Sequence, residues 1–368
     1  MQEVNIAGIQ STVVWATLAV TIVMGFFMAK SNFCTMGAVA DIVNMGDWTR
    51  MRMWMISIAV AIFATQAMQF AGLIDLSKSI YTSPSFTWFS YIVGGFLFGF
   101  GMVLASGCGS KTLIRIGAGS LKSLIVFIVL GLTAYMTLKG LFGVMRVNTV
   151  DLIKPTLESG QDLPRFLSKA FGADLNTVRS VVALLVGGAL FIYAFMGKEF
   201  RSNISNPVAS IIIGLGVAAI WYVSGKLGYL AEDPKTLEEA FIGTNSGRLE
   251  SLSFVAPMAY TLELLLFWSD TTKKVTLGIA ACGGMVLGAF ISSIIDKTFH
   301  WEGFANAEDT ANHLVGATLM GIGGVTALGC TIGQGLSGLS TLALGSFLAF
   351  AAINVGAVAA LRYQLSRA

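Results

Sequence analysis

About ten stretches of this chain stay apolar for close to the ~20 residues that a helix needs to cross a hydrocarbon layer. They fall near 9–29, 52–72, 88–107, 121–142, 178–196, 207–227, 252–268, 275–295, 312–329 and 340–361, with 252–268 and 312–329 the weakest. Lipid offers no partner to a free N–H or C=O, so such runs fold as helices, interrupted only where protein or a cavity covers the break. The composition agrees. Hydrophobic residues make up 55% and charged residues 12%, about half the charged share of roughly 25% in soluble domains, and mean hydropathy is +0.76. The expected fold is an all-α polytopic membrane protein.

Other classes drop out quickly. A net charge of +3, spread among loops, leaves no nucleic-acid footprint. The N-terminal region is acidic rather than basic and the first apolar run is full length, so no cleavable leader is expected. The four cysteines (34, 108, 282, 330) make neither a zinc pattern nor a disulfide scaffold. No nucleotide-binding motif is present, and no metal or other cofactor is expected. Segment 143–177 differs in kind, mixing Arg146, Asp151, Lys154, Glu158, Asp162, Arg165 and Lys169 with short apolar groups. It reads as an aqueous or interfacial connector with one or two short amphipathic helices.

Two cysteines close the same pattern, G-x4-G-x-G-x5-G-C. The first copy is Gly94, Gly99, Gly101, Gly107, Cys108, and the second is Gly316, Gly321, Gly323, Gly329, Cys330. A shorter echo is Gly25 followed by Cys34. The glycines give helices smooth sides for close packing. Helix-poor text follows each cysteine: Thr35, Met36 and Gly37; then Gly109, Ser110, Lys111 and Thr112; then Thr331, Gly333, Gln334 and Gly335. Each place predicts a helix end, a turn and a new helix start. Free N–H groups at helix starts favour anions. The expected layout is one membrane domain, 1–368. Its repeat halves, 9–142 and 207–361, are joined by the connector 143–177 and a helix at 178–196.

Charge sets an orientation. Lys30, Arg50 and Arg52, then Lys111, Arg115 and Lys122, then Lys198 with Arg201, and Lys273 with Lys274, are basic links. By contrast, 228–250 and 297–310 are acid-rich. The N-terminus is therefore expected outside and the basic links in the cytoplasm. Ten full crossings would leave Arg362 and Arg367 outside, so one segment between the halves is expected to enter and leave by the same face. About nine crossings then remain, with the two Gly-Cys helices antiparallel as in an inverted repeat. The thiols would meet at a mid-membrane constriction. A neutral S–H is a weak donor on a soft atom, suited to a weakly hydrated sulfur anion and to repeated, releasable contacts.

Lys-Ser-Asn-Phe-Cys-Thr-Met-Gly-Ala (30–38), Leu-Ala-Ser-Gly-Cys (104–108) and Ala-Leu-Gly-Cys-Thr-Ile-Gly-Gln-Gly-Leu (327–336) resemble the three signature stretches of the YeeE/YedE family. The resemblance covers nearly the whole chain through motif order and spacing. It implies an hourglass-shaped inner-membrane protein that takes up thiosulfate or a related sulfur compound. Carried over by motif, Cys34, Cys108 and Cys330 line the route and pass the ion inward, and a small TusA-like sulfurtransferase receives the sulfur in the cytoplasm. Gly107, Gly109, Gly329, Thr331, Gly333 and Gln334 flank the route. Two positions depart from the family pattern. Ala40-Asp41 stands where members often have Arg-Asp, and Lys111 stands where they tend to have glycine. Lys111 then either supplies attraction at the inner mouth or is a plain positive-inside lysine.

Two other readings remain open: a membrane thiol–disulfide oxidoreductase, and a permease for selenium compounds or a soft metal ion. The first lacks a C-x-x-C pair, and the second has only Met51, Met53 and Met55 as a faint metal path. Cys282 lies inside an unbroken run and reads as an inert small hydrophobe. His300 and His313 read as interfacial. Asp41 and Glu263 are acids in or near the membrane, where such groups suggest function; Glu263 either carries a coupling proton or pairs with a neighbour.

Overall fold

The computed structural model describes residues 5–157, 160–234 and 236–366; Glu158 and Arg367, used in the charge reading, lie outside them. The chain opens with α1 (Ile6–Lys30), α2 (Thr35–Met45), α3 (Thr49–Phe70), α4 (Trp88–Leu104), α5 (Gly109–Gly117) and α6 (Leu121–Lys139). Short helices α7 (Leu141–Val147) and α8 (Leu163–Phe171) lie in the connector. Then come α9 (Leu175–Phe195), α10 (Lys198–Ser202), α11 (Ser205–Tyr222), α12 (Val255–Leu266), α13 (Leu277–Ile295), α14 (Ala307–Thr326) and α15 (Leu344–Leu365). Wider π turns occur at Val223–Leu227 and Gly333–Gly338. A two-residue β pairing, Tyr229–Leu230 with Ala240–Phe241, is the sheet content among the described residues.

Among the described residues, eight helices are long and apolar enough to cross a bilayer. A ninth, α14, lies antiparallel along α4. A Cβ at Gly94 would meet Ala327 N at 2.5 Å and Gly323 O at 2.7 Å, and one at Gly101 would meet Gly316 O at 2.6 Å. The matching glycines of the two motifs therefore face each other and let the backbones touch, as small residues do inside membranes.

Contacts at the helix ends define two faces. Gln10 donates to Val275 O at 2.6 Å and Leu277 N to Gly243 O at 2.7 Å, so α1 and α13 start together on a first face. Both end on a second face, where Lys30 pairs with Asp296 at 3.5 Å. Among the described residues nine helices run between these faces, starting from the first with α1 and ending at the second with α15. Helix α12 does not cross. It starts deep, with Met258 beside the Gly109 position, and ends where Glu263 meets Lys273 at 2.5 Å and Lys139 at 3.5 Å on the first face.

Two expectations need correction. The segment that enters and leaves by one face was placed between the halves, but it is α12, inside the second half. Its apolar helix has 12 residues, so it is too short to span. The sidedness of two loops was also reversed. Lys122 binds Glu302 at 2.6 Å, which puts the acid-rich 297–310 on the same face as the basic link after α5. Lys273, through Glu263, belongs to the first face with the acidic 228–250.

Candidate functional site

Three helices stop in the same way, two residues before a cysteine. Asn32, Ser106 and Leu328 all take left-handed backbone, at φ 51°, 56° and 56°. The next residue then folds its N–H back onto the helix: Phe33 to Met28 O at 3.1 Å, Gly107 to Met102 O at 2.8 Å, and Gly329 to Gly324 O at 2.8 Å. This is the Schellman stop, which occupies carbonyls that the helix end would leave free. Left-handed backbone at a leucine or serine costs about 1–2 kcal/mol, so sequence propensity alone does not produce it.

A new helix begins straight after each cysteine, and at Cys34 and Cys330 the sulfur caps it. Gly37 N–H donates to Cys34 Sγ and Gly333 N–H to Cys330 Sγ, both at 3.5 Å. The Lys111 N–H lies toward Cys108 Sγ in the equivalent place. The residue three past the cysteine is thus Gly37, Lys111 and Gly333 in turn, so Lys111 alone brings a side chain there.

The breaks converge. The Cys34 and Cys108 thiols interact directly, and Cys108 Sγ also lies 3.2 Å from Ser110 Oγ. Cys330 is within electrostatic reach of Cys108. The Thr331 hydroxyl, which closes no regular hydrogen bond, lies beside the Cys108 sulfur. All are free thiols, with Cys34 4% exposed and Cys108 and Cys330 fully buried. Around them, Thr35, Tyr81 and Ser346 hold buried hydroxyl groups without partners among the described residues, a costly arrangement unless a ligand or water uses them.

Approaches differ on the two sides. From the first face a cleft of roughly 200 Å³ is lined by Arg146, Asn245, Glu250, Ser253 and Tyr260 and ends at Gly329, beside Cys330. Burial holds the Glu250 carboxyl above the usual range. On the second side, Lys111 Nζ reaches Asn32 Oδ1 at 3.4 Å and lies within electrostatic range of Cys34, Cys108, Arg115 and Arg50. Arg50 is tied to Asp41 at 2.6 Å and its guanidinium lies against Gly37. A cation thus stands near the position where Ala40 departs from the family pattern.

The remaining expected residues fall into two groups. Gly333 is tightly enclosed, since a Cβ there would meet Ser253 Oγ at 2.8 Å and Tyr81 OH at 3.4 Å. Gly109 and Gly329 have ordinary contact distances, 3.4 Å or more, and a Cβ at Gly107 would meet Lys111 carbons at 3.1 and 3.2 Å and an Arg115 guanidinium nitrogen at 3.9 Å. Gln334 donates back to Ala327 O and so braces the stop of α14. Glu263 is paired, also accepting from Tyr135 OH at 3.0 Å, and Cys282 sits beside Thr261 in unbroken α13. Arg50, Tyr81, Ser253 and Glu250 were not singled out as site residues. The nine-residue step from Asp41 to Arg50 carries no helix-face signal, and the other three lie in irregular segments.

The Sulphur transport family profile matches residues 30–359, which include all three cysteine stops. Over 318 residues the chain is 27% identical to the thiosulfate transporter TsuA of Escherichia coli (strain K12), covering 85% of this chain and 84% of that protein. Over 342 residues it is 26% identical to the thiosulfate transporter TsuA of Spirochaeta thermophila, covering 91% and 94%. With the profile spanning most of nine crossings and every broken helix of the throat, the chain belongs to the Sulphur transport family.

Proposed function

We propose that this protein carries thiosulfate, or a related anion with a terminal soft sulfur, across a bacterial or archaeal cytoplasmic membrane. Uptake runs from the cleft at Gly329 to the cationic mouth at Lys111. One observation carries the reading: three helix breaks bring Cys34, Cys108 and Cys330 together between a cleft toward the first face and a cluster of cations toward the second. The anion enters past Arg146, meets Cys330 and Thr331, then passes to Cys108 and Cys34. Each S–H gives a weak contact that the next can replace, as permeation requires. The first face is outside, because short basic loops with Lys30, Arg50, Arg52, Lys111 and Arg115 gather on the second.

The related transporters named for thiosulfate support the cargo. The antiparallel pair α4 and α14 supports an inverted duplication of halves 9–142 and 207–361 around the connector 143–177, giving an hourglass with thiols at its waist. The second face, with Lys111 and Arg115, is the place for a TusA-like sulfurtransferase to collect sulfur. The test is uptake of radiolabelled thiosulfate into proteoliposomes, with sulfite, selenite and Cu(I) as competitors. Cys108→Ser and Cys330→Ser variants that fold normally are expected to lose uptake. Full uptake in either one, or strong competition by Cu(I), overturns the reading.

A further inference from the structure

The geometry points to a second chemistry in the throat: Cys34 and Cys108 form a dithiol that reacts with polythionates, anions holding an internal sulfur–sulfur bond, and closes as a disulfide that seals the route. The inference rests on the reading that the throat admits sulfur oxyanions. Its basis is local. The two thiols lie 74 positions apart in sequence (108 minus 34), yet Lys111, three past Cys108, bonds Asn32, two before Cys34, at 3.4 Å; the sulfurs interact, and both are free. Each stands at the N-cap position of a helix, α2 of 11 residues and α5 of 9, where backbone N–H groups favour a thiolate. Lys111 stands within electrostatic range of both sulfurs and supports the charge that attack requires. Cys330 sits on the outer side of the pair, and Cys282 lies in a different helix beside Thr261.

Burial makes the pair selective. Neither sulfur is open to bulk solvent, so the reagent must be one that travels the anion route. For tetrathionate the steps balance without any further reactant. One thiol, as thiolate, attacks a central divalent sulfur of tetrathionate; the central S–S bond breaks and thiosulfate leaves with the electron pair. The protein then holds a mixed S-thiosulfonate. The second thiolate attacks the cysteine sulfur of that adduct, forming the Cys34–Cys108 disulfide and releasing a second thiosulfate. Two thiol protons go to solvent, the dithiol is oxidised by two electrons, and tetrathionate is reduced to two thiosulfates. Thiosulfate is a weakly basic leaving group, which speeds both steps. The new bond fixes the starts of α2 and α5 together and removes two S–H donors from the path.

The experiment treats full-length protein in proteoliposomes with tetrathionate and follows three readouts: thiosulfate released, the cross-linked peptide found after non-reducing digestion, and labelled thiosulfate uptake. Two thiosulfates released per protein, a Cys34–Cys108 cross-link, and uptake that falls to background and returns with dithiothreitol are expected. Cys282→Ala should match the natural protein. Cys108→Ser should release one thiosulfate at most and form no cross-link. The inference is overturned by absence of the Cys34–Cys108 peptide, by a link joining another cysteine instead, or by cross-linked protein that still carries thiosulfate. If untreated protein shows no uptake at all, the transport reading falls, whereas the release stoichiometry and the cross-link still decide the dithiol chemistry.

Discussion

Alanine at Gly101 tests whether the crossing of α4 and α14 sets the throat. Its Cβ would stand 2.6 Å from Gly316 O, 2.8 Å from Leu319 Cβ and 2.9 Å from Met320 N. Two of these are backbone atoms and the third is a Cβ, so none can swing aside by changing rotamer. Carbon atoms pack at about 3.5 Å or more, leaving a shortfall of about 0.7 Å against Leu319 Cβ that only separation of the helices can supply. Overpacking of this kind costs about 1–3 kcal/mol. The same separation moves Cys108 relative to Cys330, and a site loosened beyond about 0.5 Å loses its geometry. Uptake per folded protein should drop on the order of tenfold, with a lower melting temperature in detergent. Gly188→Ala on α9 is the control, because nothing lies within 4 Å of its Cβ position; removing a helix glycine there should add about 0.5–1 kcal/mol. Unchanged melting and unchanged uptake in Gly101→Ala would refute the packing argument.

Three further outcomes are expected. Lys111→Ala should raise the apparent KM for thiosulfate at low ionic strength, with the difference from the natural protein shrinking as salt screens the mouth over about 10 Å or less; equal KM values at every ionic strength return Lys111 to a topological role. Burial raises the Glu250 carboxyl in the folded state, so the folded protein binds more protons than the unfolded one above the ordinary glutamate value of 4.5 and stability falls as pH rises there. Glu250→Gln, which can still accept from Ser246 N–H, should therefore melt higher at neutral pH, with the gap closing toward that value; a gap that widens on acidification contradicts the sign. Asp162 and Arg179 form a buried pair at 2.7 Å that ties α9 to the connector. Asp162→Ala should cost about 3–5 kcal/mol, with much of it recovered by adding Arg179→Met, as read from melting.

Spans were legible because length and apolarity decide them almost alone. The helix breaks were legible too, since glycine on both sides of Cys108 and Cys330 marks a stop and a restart. What sequence could not provide was which loops share a face. Lys273 and Glu302 each sit at a helix end whose side depends on whether α12 crosses, and its 12 residues look like a truncated span until Glu263 is seen meeting Lys139. The meeting of the thiols is expected from sequence, but the way each helix stops is not. The echo around Gly25 lacks the full glycine ladder, and the shared feature is a left-handed residue two places before each cysteine. Asn32, Ser106 and Leu328 have no common side chain to announce it.

Those folded-back helix ends also set which backbone groups the breaks leave free. Met28, Met102 and Gly324 spend their carbonyl oxygens on their own chain, while new helices start at Thr35, Gly109 and Thr331, where the first N–H groups have no partner within their own helix. A break of this kind therefore offers backbone donors more readily than backbone carbonyls. The Lys111 ammonium, within electrostatic range of Cys34 and Cys108, adds a formal charge of the same sense.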